Sequence, residues 1–188
     1  MANAPAQTLS DTKTLRQRAR QHIEAGAVTD NYRADRETIL RLLNEALATE
    51  IVCSLRYKRH YYTAKGLASQ SVAAEFMEHA NEEEEHADQF AERITQLGGD
   101  PDFSPHTLAE RSHAEYVEGE TLVDMIKEDL VAERVAIESY REIVQYIGDS
   151  DPTTRRLFEE VLAVEEQHAN ELLDLTQQIG SSGSASSV

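Results

Sequence analysis

The sequence is poor in the residues that break helices or cross-link chains. Of its 188 residues, only 8 are glycine, 4 are proline and one, Cys53, is cysteine. A single cysteine excludes an intramolecular disulfide and a thiolate cluster, and it is consistent with a reducing, cytoplasmic compartment. The glycines and prolines stand mostly between segments with helical periodicity, which favours an all-α fold.

Long apolar runs and an excess of positive charge are also absent. No stretch approaches 18 apolar residues, so we expect no membrane span, and residues 1–10 do not resemble a signal peptide. The net charge is −17 at pH 7, so DNA binding and binding to an anionic membrane are not expected to dominate. An acidic chain can concentrate cations, although a simple requirement for solubility explains the same charge.

Residues 1–33 are predicted to form an N-terminal extension with one short helix. Ser10-Asp11 is a suitable N-cap for a helix that runs to Gly26. This segment is locally basic, but acidic residues are interspersed, which favours a solvated helix over a DNA-binding arm.

Four long segments carry apolar residues at spacings of three and four, the period of an amphipathic helix. They predict a four-helix bundle over residues 34–179, followed by a flexible, serine-rich tail over residues 180–188. The predicted helices are A, from Ala34–Asp35 to before Gly66; B, from Ser69–Ser71 to Gly98-Gly99; C, from Glu120 to Ile147; and D, from Asp151-Pro152 to Gly180.

The connections between these segments predict how the helices run. A short A–B connection makes A and B an antiparallel hairpin. The B–C connection has roughly 20 residues, with a possible short helix in Thr107–Tyr116. A helix of about 28 residues is about 42 Å long, and about 20 extended residues span about 66 Å. The chain can therefore cross over and leave B and C parallel.

Each of the four helices places one glutamate in the middle of its apolar stripe. A buried carboxylate is costly unless it has a partner. Two of these glutamates are followed by a histidine three residues later, on the same helical face. The six residues are Glu50 on A, Glu83 and His86 on B, Glu133 on C, and Glu165 and His168 on D.

This set of donors predicts a dinuclear metal site. One Glu from each of two helices and one Glu-x-x-His from each of the others is the ligand set of di-iron carboxylate bundles. Imidazole favours iron, manganese or zinc over magnesium or calcium. Glu50 and Glu83 are 33 residues apart and Glu133 and Glu165 are 32 apart, which indicates two similar halves around a pseudo-twofold axis. A bundle with accidental acidic residues leaves Glu50 and Glu133 unexplained.

The residues near these glutamates resemble a known family. Leu43-Asn44-Glu45 with Glu50-Ile51-Val52, the run from Glu83 to Asp88, and the run from Glu165 to His168 are similar to motifs of the ferritin-like superfamily, and within it of bacterioferritin. The resemblance covers about residues 36–178, which are all four bundle helices.

The resemblance implies a role for each site residue. Glu50 and His86 would be terminal ligands of one iron, Glu133 and His168 would be terminal ligands of the other, and Glu83 and Glu165 would bridge them. Tyr57 would lie near the di-iron centre as a catalytic residue; the alternative is a core tyrosine with a bonded hydroxyl.

Some features depart from bacterioferritin. Glu84 stands where the family has a haem-binding methionine, so haem is not expected. The fifth helix of 24-subunit cages is missing. The N-terminal extension and long crossover are similar to those of DNA-protecting miniferritins, which form 12-subunit cages with iron at subunit interfaces. The chain therefore resembles a hybrid group, Dps-like proteins with a bacterioferritin-type site, although that group usually carries a cysteine pair. A homo-oligomeric 12-mer is favoured over a 24-mer.

The resemblance implies that Fe(II) is oxidised by O₂ or H₂O₂ and that Fe(III) is stored in a protein cage. One alternative is a peroxidase-like or catalase-like enzyme, with two iron or two manganese ions and no storage. Another is a non-enzymatic bundle or adaptor, which would purify without metal.

Other acidic residues and a histidine lie beside Glu83. Glu82, Glu84 and Glu85 are predicted to point away from the bundle interior, as most acidic runs do. His79, with Glu78 and Glu82 nearby, would guide iron to or from the site or would be solvated or packed.

Overall fold

The computed structural model describes residues 9–65 and 69–184. In these ranges the chain forms six α-helices and one 3₁₀ turn and contains no strand, which confirms the predicted all-α fold with an extra N-terminal helix. The helices are α1 Thr12–Arg18, α2 Arg36–Thr63, α3 Ser69–Gln96, α4 Leu108–Arg111, α5 Leu122–Ile147 and α6 Pro152–Ser184. Gly66, predicted to follow helix A, lies outside the described residues.

Contacts at the helix ends establish the predicted topology. Arg36, at the start of α2, donates a hydrogen bond to the carbonyl of Leu97, just after α3, so α2 and α3 are antiparallel. Arg93, in the last turn of α3, pairs with Asp151 at 3.0 Å, immediately before α6. Because α6 runs antiparallel to both α3 and α5, α3 and α5 are parallel, as the crossover predicted.

Local sequence signals set the limits of α5 and α6. Thr121 and Asp124 form a capping box at the start of α5. Gly148 follows its last turn with a φ of +50°, a conformation that favours glycine. Asp151 accepts a hydrogen bond from the Thr154 backbone N–H, so the predicted Asp-Pro start of α6 is confirmed.

Two predicted helix limits were wrong. The N-terminal helix ends at Arg18 and does not continue to Gly26. His22 adopts a left-handed φ of +50°, and a separate 3₁₀ turn follows at Ile23–Ala25. The last helix continues through Gly180 to Ser184, so the predicted flexible tail is helical over residues 180–184. One glycine costs a helix only about 1 kcal/mol relative to alanine, which a long, well-packed helix tolerates. Residues 185–188 lie outside the described residues.

Two large apolar clusters make up most of the described bundle core, with polar residues between them. One cluster includes Leu43, Phe90 and Phe158, and the other includes Phe76 and Ile126. The predicted mid-stripe glutamates lie between these clusters along each long helix. None of the described helices is long and apolar enough to span a bilayer.

A buried ion-pair network fastens the crossover to the bundle. Arg56 donates from Nε to Asp129 Oδ1 at 2.8 Å, and His60 Nδ1 lies 2.8 Å from Asp129 Oδ2. Arg56 also donates to the Glu115 carbonyl, and His60 Nε2 lies 2.9 Å from the Glu118 carbonyl. These contacts join α2, α5 and the segment before α5, and they provide hydrogen-bond partners for the buried side chains of Arg56, His60 and Asp129.

Replacing Arg56 with Met should therefore destabilise the bundle strongly. The substitution keeps most of the side-chain volume but leaves Asp129, which is fully buried, without its cationic partner. We expect the free energy of unfolding to fall by about 3–5 kcal/mol, measured by guanidinium denaturation of metal-free protein at one subunit concentration. Arg156→Met, which breaks the exposed pair with Glu160, is the control and should change nothing measurable. Equal stability of both variants would contradict this role for Arg56.

Candidate metal centre

The structure brings the four mid-stripe glutamates and the two histidines together inside the bundle. All six side chains are almost completely buried. They form two overlapping groups, in each of which four possible ligand atoms lie within 4.8 Å of one another. The first group is Glu50, Glu83, His86 and Glu165, and the second is Glu83, Glu133, Glu165 and His168. Two adjacent positions that share two carboxylates are the arrangement that a pair of bridged cations requires.

Each histidine turns its Nδ1 atom toward the shared carboxylates. His86 Nδ1 lies 3.0 Å from Glu165 Oε1, 3.3 Å from Glu50 Oε2 and 3.7 Å from Glu83 Oε2. His168 Nδ1 lies 3.5 Å from both Glu83 Oε1 and Glu165 Oε2, and 3.9 Å from Glu133 Oε2. Each imidazole therefore contacts both shared glutamates and one glutamate of its own position.

Several possible metal-ligand atoms in this cluster lack the hydrogen bonds that buried polar atoms normally make. Among the described residues, Glu83 Oε1, both carboxylate oxygens of Glu165 and His168 Nδ1 are buried without a hydrogen-bond partner. Unsatisfied buried polar atoms are rare in proteins and call for an explanation such as an ion. Carboxylate oxygens and imidazole nitrogens suit a divalent transition metal. The residues present therefore fit two such ions.

Two buried tyrosines donate hydrogen bonds to Oε1 of the two glutamates that are not shared. The Tyr57 hydroxyl donates to Glu133 Oε1, and the Tyr140 hydroxyl donates to Glu50 Oε1. Tyr57 follows Glu50 by seven residues and Tyr140 follows Glu133 by seven, so each tyrosine reaches the glutamate of the other half. In both glutamates Oε2 is left facing a histidine of the cluster. The structure thus gives Tyr57 a bonded hydroxyl and places it beside the cluster.

Two contacts of the cluster were not predicted from the sequence: the hydrogen bond from Tyr140 to Glu50 and the contact between Glu82 and His168. In the second half of the repeat, Tyr140 stands at the position that Tyr57 occupies in the first half, so the internal repeat was a signal that could have identified Tyr140. Glu82 was predicted to point away from the interior, but its Oε2 lies 2.7 Å from His168 Nε2 on the facing helix. The contact crosses between helices, and periodicity within one helix does not reveal it.

Burial and charge shift the carboxyl groups in two directions. Burial, reinforced by the charge of Glu83, raises the pKa of Glu50 to about 8, and burial raises the pKa of Glu133 well above its usual range. Burial also opposes ionisation of Glu83 and Glu165. Close contacts with neighbouring acids and histidines outweigh that effect and lower the pKa of both. Without metal, the shared carboxyls therefore ionise more readily than those of Glu50 and Glu133.

The same contacts keep both histidines protonated when no metal is bound. Burial lowers the pKa of an imidazole, but the close contacts with the surrounding carboxylates outweigh this effect. They raise the pKa of His168 to about 12 and that of His86 further above its usual value. The two imidazolium ions lie against the two shared carboxylates and compensate their charge.

Binding of two divalent ions should therefore release protons. Metal ligands must be deprotonated. The two imidazolium ions should therefore lose about two protons per subunit near pH 7, and any proton held by Glu50 or Glu133 would add to that number. Because protons compete with metal, affinity should rise as pH rises. Calorimetry of Zn(II) binding in buffers with different ionisation enthalpies measures the release. Release of less than about one proton per subunit would contradict the protonated state of the two histidines.

Comparisons with known proteins agree with this arrangement. A family model for the ferritin-like domain matches residues 40–181. The chain is 29% identical to the bacterioferritin-related protein of Bacteroides fragilis, described as a dodecameric thioferritin; the match covers 83% of this chain and 94% of that one, with a TM-score of 0.79. It is 26% identical to the bacterioferritin of Desulfovibrio desulfuricans, whose structure is described for its diiron site; the match covers 78% and 82% of the chains, with a TM-score of 0.69.

A third relative carries a different functional description. The chain is 29% identical over 167 residues to the nutrient stress-induced DNA-binding protein of Nostoc sp., covering 87% of this chain and 90% of that protein. The relatives thus include both bacterioferritins and proteins described as binding DNA, as the sequence resemblance predicted.

Proposed function

The chain belongs to the ferritin-like family, and from that membership we propose that it is a ferroxidase that stores iron. In this proposal Fe(II) is the substrate, O₂ or H₂O₂ accepts the electrons, and Fe(III) is deposited inside a protein cage. The observation that carries the proposal is the pair of overlapping ligand groups that share Glu83 and Glu165.

The six residues divide into three roles in this proposal. Glu50 and His86 hold one Fe(II), Glu133 and His168 hold the other, and Glu83 with Glu165 bridges them. Each Fe(II) supplies one electron, so a bound pair reduces one H₂O₂ to two waters with two protons, or one O₂ to H₂O₂ with two protons.

Charge explains why the oxidised product would leave. Four carboxylates balance two Fe(II) ions, because each ion carries two positive charges. Oxidation adds one positive charge to each ion, and a buried site of low dielectric tolerates an uncompensated charge poorly. The same carboxylates that admit Fe(II) would therefore favour the departure of Fe(III) toward a mineral core.

Tyr57 and Tyr140 would position the terminal carboxylates. Each phenol occupies one oxygen of Glu133 or Glu50, so the other oxygen is oriented toward the metal. Loss of a hydrogen bond to a metal ligand typically lowers metal affinity or activity about 10- to 100-fold.

The proposal also covers the oligomeric state of the protein, its cellular compartment and the binding of DNA. We favour a dodecamer, because the related protein of Bacteroides fragilis is described as dodecameric. Free Cys53 is buried, which suits a reducing cytoplasm. The net charge of −17 disfavours DNA as a partner, despite the name of the Nostoc relative.

Removing the bridging carboxylates should abolish the activity. In Glu83→Gln with Glu165→Gln, the charges shared by both positions are lost, so we expect the initial rate of Fe(II) oxidation to fall at least about a hundredfold. The control is Glu84→Gln with Glu166→Gln, adjacent exposed residues that pair with Lys58 and Arg141. This control should oxidise Fe(II) at the unmodified rate. A bridging variant that remains active would refute the assigned site.

Storage should be visible as iron retained far beyond the dinuclear site. After aerobic addition of Fe(II), we expect a dodecameric hollow particle that retains many more than two iron atoms per subunit. Mass photometry combined with iron analysis after gel filtration measures both quantities. A smaller oligomer that oxidises Fe(II) and retains only the pair would favour the second candidate, peroxide removal by a di-iron or di-manganese enzyme, because the nitrogen and oxygen donors suit either metal.

A further inference from the structure

The N-terminal extension is positively charged, whereas the rest of the molecule is strongly negative. Residues 9–33 contain five lysine and arginine residues and three acidic residues, a net charge of +2. Residues 1–8 have no charged side chain and the whole chain carries −17, so the remainder carries −19. An acidic surface therefore attracts the extension and repels most of the bundle.

The C-terminal end of the extension is anchored to the bundle. Val28, Tyr32 and Ala34 pack against the apolar cluster that includes Leu43. The Tyr32 hydroxyl donates to Asp151 Oδ2 at 2.9 Å, immediately before α6. From residue 28 onward, the chain is therefore part of the packed bundle.

The helix α1, near the other end of the extension, lacks comparable packing. The structure describes all seven of its residues, and none of them is buried. Its side-chain hydrogen bonds are local, because Asp11 accepts from Thr14 and Arg18 donates to Ser10. A helix of this length is marginally stable in water without tertiary contacts. A partner that covers α1 would therefore stabilise it.

Several apolar side chains of the same segment are exposed. Leu9 is 94% exposed, Leu15 is 53% exposed and Ile23 is 77% exposed. Leu9, Leu15 and Ala19 line one side of a groove between α1 and residues 29–31. Single exposed apolar residues are ordinary, but a group of them along one groove indicates a contact with another protein surface.

The cations beside these apolar residues lack acidic partners. In the part of the chain that the structure describes, the side chains of Lys13, Arg16 and Arg20 pair with no carboxylate. On the bundle, by contrast, Arg41 and Arg156 each pair at 2.7 Å with a glutamate four residues later. The extension thus matches a partner that presents carboxylates beside exposed apolar side chains.

A second copy of this chain presents such a surface. Its bundle carries the excess of carboxylates, and Leu55 and Val131 are exposed on its helices. Nucleic acid would supply phosphates for the cations but no comparable apolar surface for Leu9 and Leu15. The net charge of −17 also disfavours nucleic acid. The combination of charge and apolar exposure therefore favours a protein partner.

We propose that residues 9–25 of one chain, which we name the arm, bind the acidic bundle surface of a second copy and clamp the two subunits together. Leu9 and Leu15 would make apolar contacts, and Lys13 and Arg16 would form ion pairs. Gly26, with a φ of +56°, stands between the arm and the anchored residues. The contact involves no residue of the dinuclear centre, so the inference goes beyond the proposed function and does not depend on it.

Carbodiimide crosslinking of the full-length, metal-free protein tests the contact. The reagent joins a lysine amine directly to a carboxylate, and Lys13 is the only lysine of the arm. Covalent dimers and monomers are separated on a denaturing gel, and their crosslinked peptides are identified by mass spectrometry. Lys13→Arg keeps the charge but cannot react, so it is the control for the assignment.

We expect Lys13 to be linked to a carboxylate of residues 34–184 in the dimer band and not in the monomer band. The link should disappear at about 1 M NaCl, where the screening length is about 3 Å. A Lys13 link in the monomer band would show that the arm binds its own bundle and would overturn the inference. Absence of any Lys13 link would also overturn it.

Two variants measure what the arm contributes to assembly. Lys13→Glu with Arg16→Glu reverses two charges, and Leu9→Gln with Leu15→Gln removes the apolar contacts. Because none of these residues is buried, both variants should fold. Each should raise the subunit dissociation constant about tenfold, measured by sedimentation equilibrium.

The matched control is Lys127→Glu with Arg134→Glu, which makes the same charge change at exposed positions of α5. It should leave the dissociation constant unchanged. If the arm variants dissociate no more readily than the control, the inference fails. If reversal of Lys13 and Arg16 abolishes binding to a short DNA duplex and leaves subunit dissociation unchanged, nucleic acid is the partner and the inference is overturned.

Discussion

The structure depends on the compensation of four glutamates buried at the middle of a four-helix bundle. Carboxylates at that depth are stable only if protons, cations or hydrogen-bond donors balance them. Without metal, the two imidazolium ions and the raised pKa values of Glu50 and Glu133 supply this compensation. In the proposed function, two divalent ions would take over that role, because four carboxylates balance the charge of two such ions.

The internal repeat accounts for the position of this cluster at the middle of the bundle. Both halves supply a lone Glu, a Glu-x-x-His pair and a tyrosine seven residues after the lone Glu. The halves differ around the histidines: apolar residues such as Val161 surround the His86 side, whereas His79 adjoins His168.

Much of this arrangement was predictable from the sequence, because it is encoded within single helices. Glu83 and His86 share a face through their spacing of three, and Glu50 interrupts an apolar stripe. Contacts between helices were harder to predict. The bond from Tyr140 to Glu50 and the contact between Glu82 and His168 depend on the relative register of two helices. The continuation of α6 past Gly180 was missed because one glycine is a weak stop signal.

If the proposed function is right, Glu83 and Glu165 bridge two metal ions within one subunit. This can be examined by anomalous diffraction from crystals grown metal-free and soaked with Fe(II) without oxygen. We expect two iron peaks about 3.5–4 Å apart, both in contact with Glu83 and Glu165, one beside His86 and the other beside His168. A single peak at this position, or iron bound only between subunits, would contradict it.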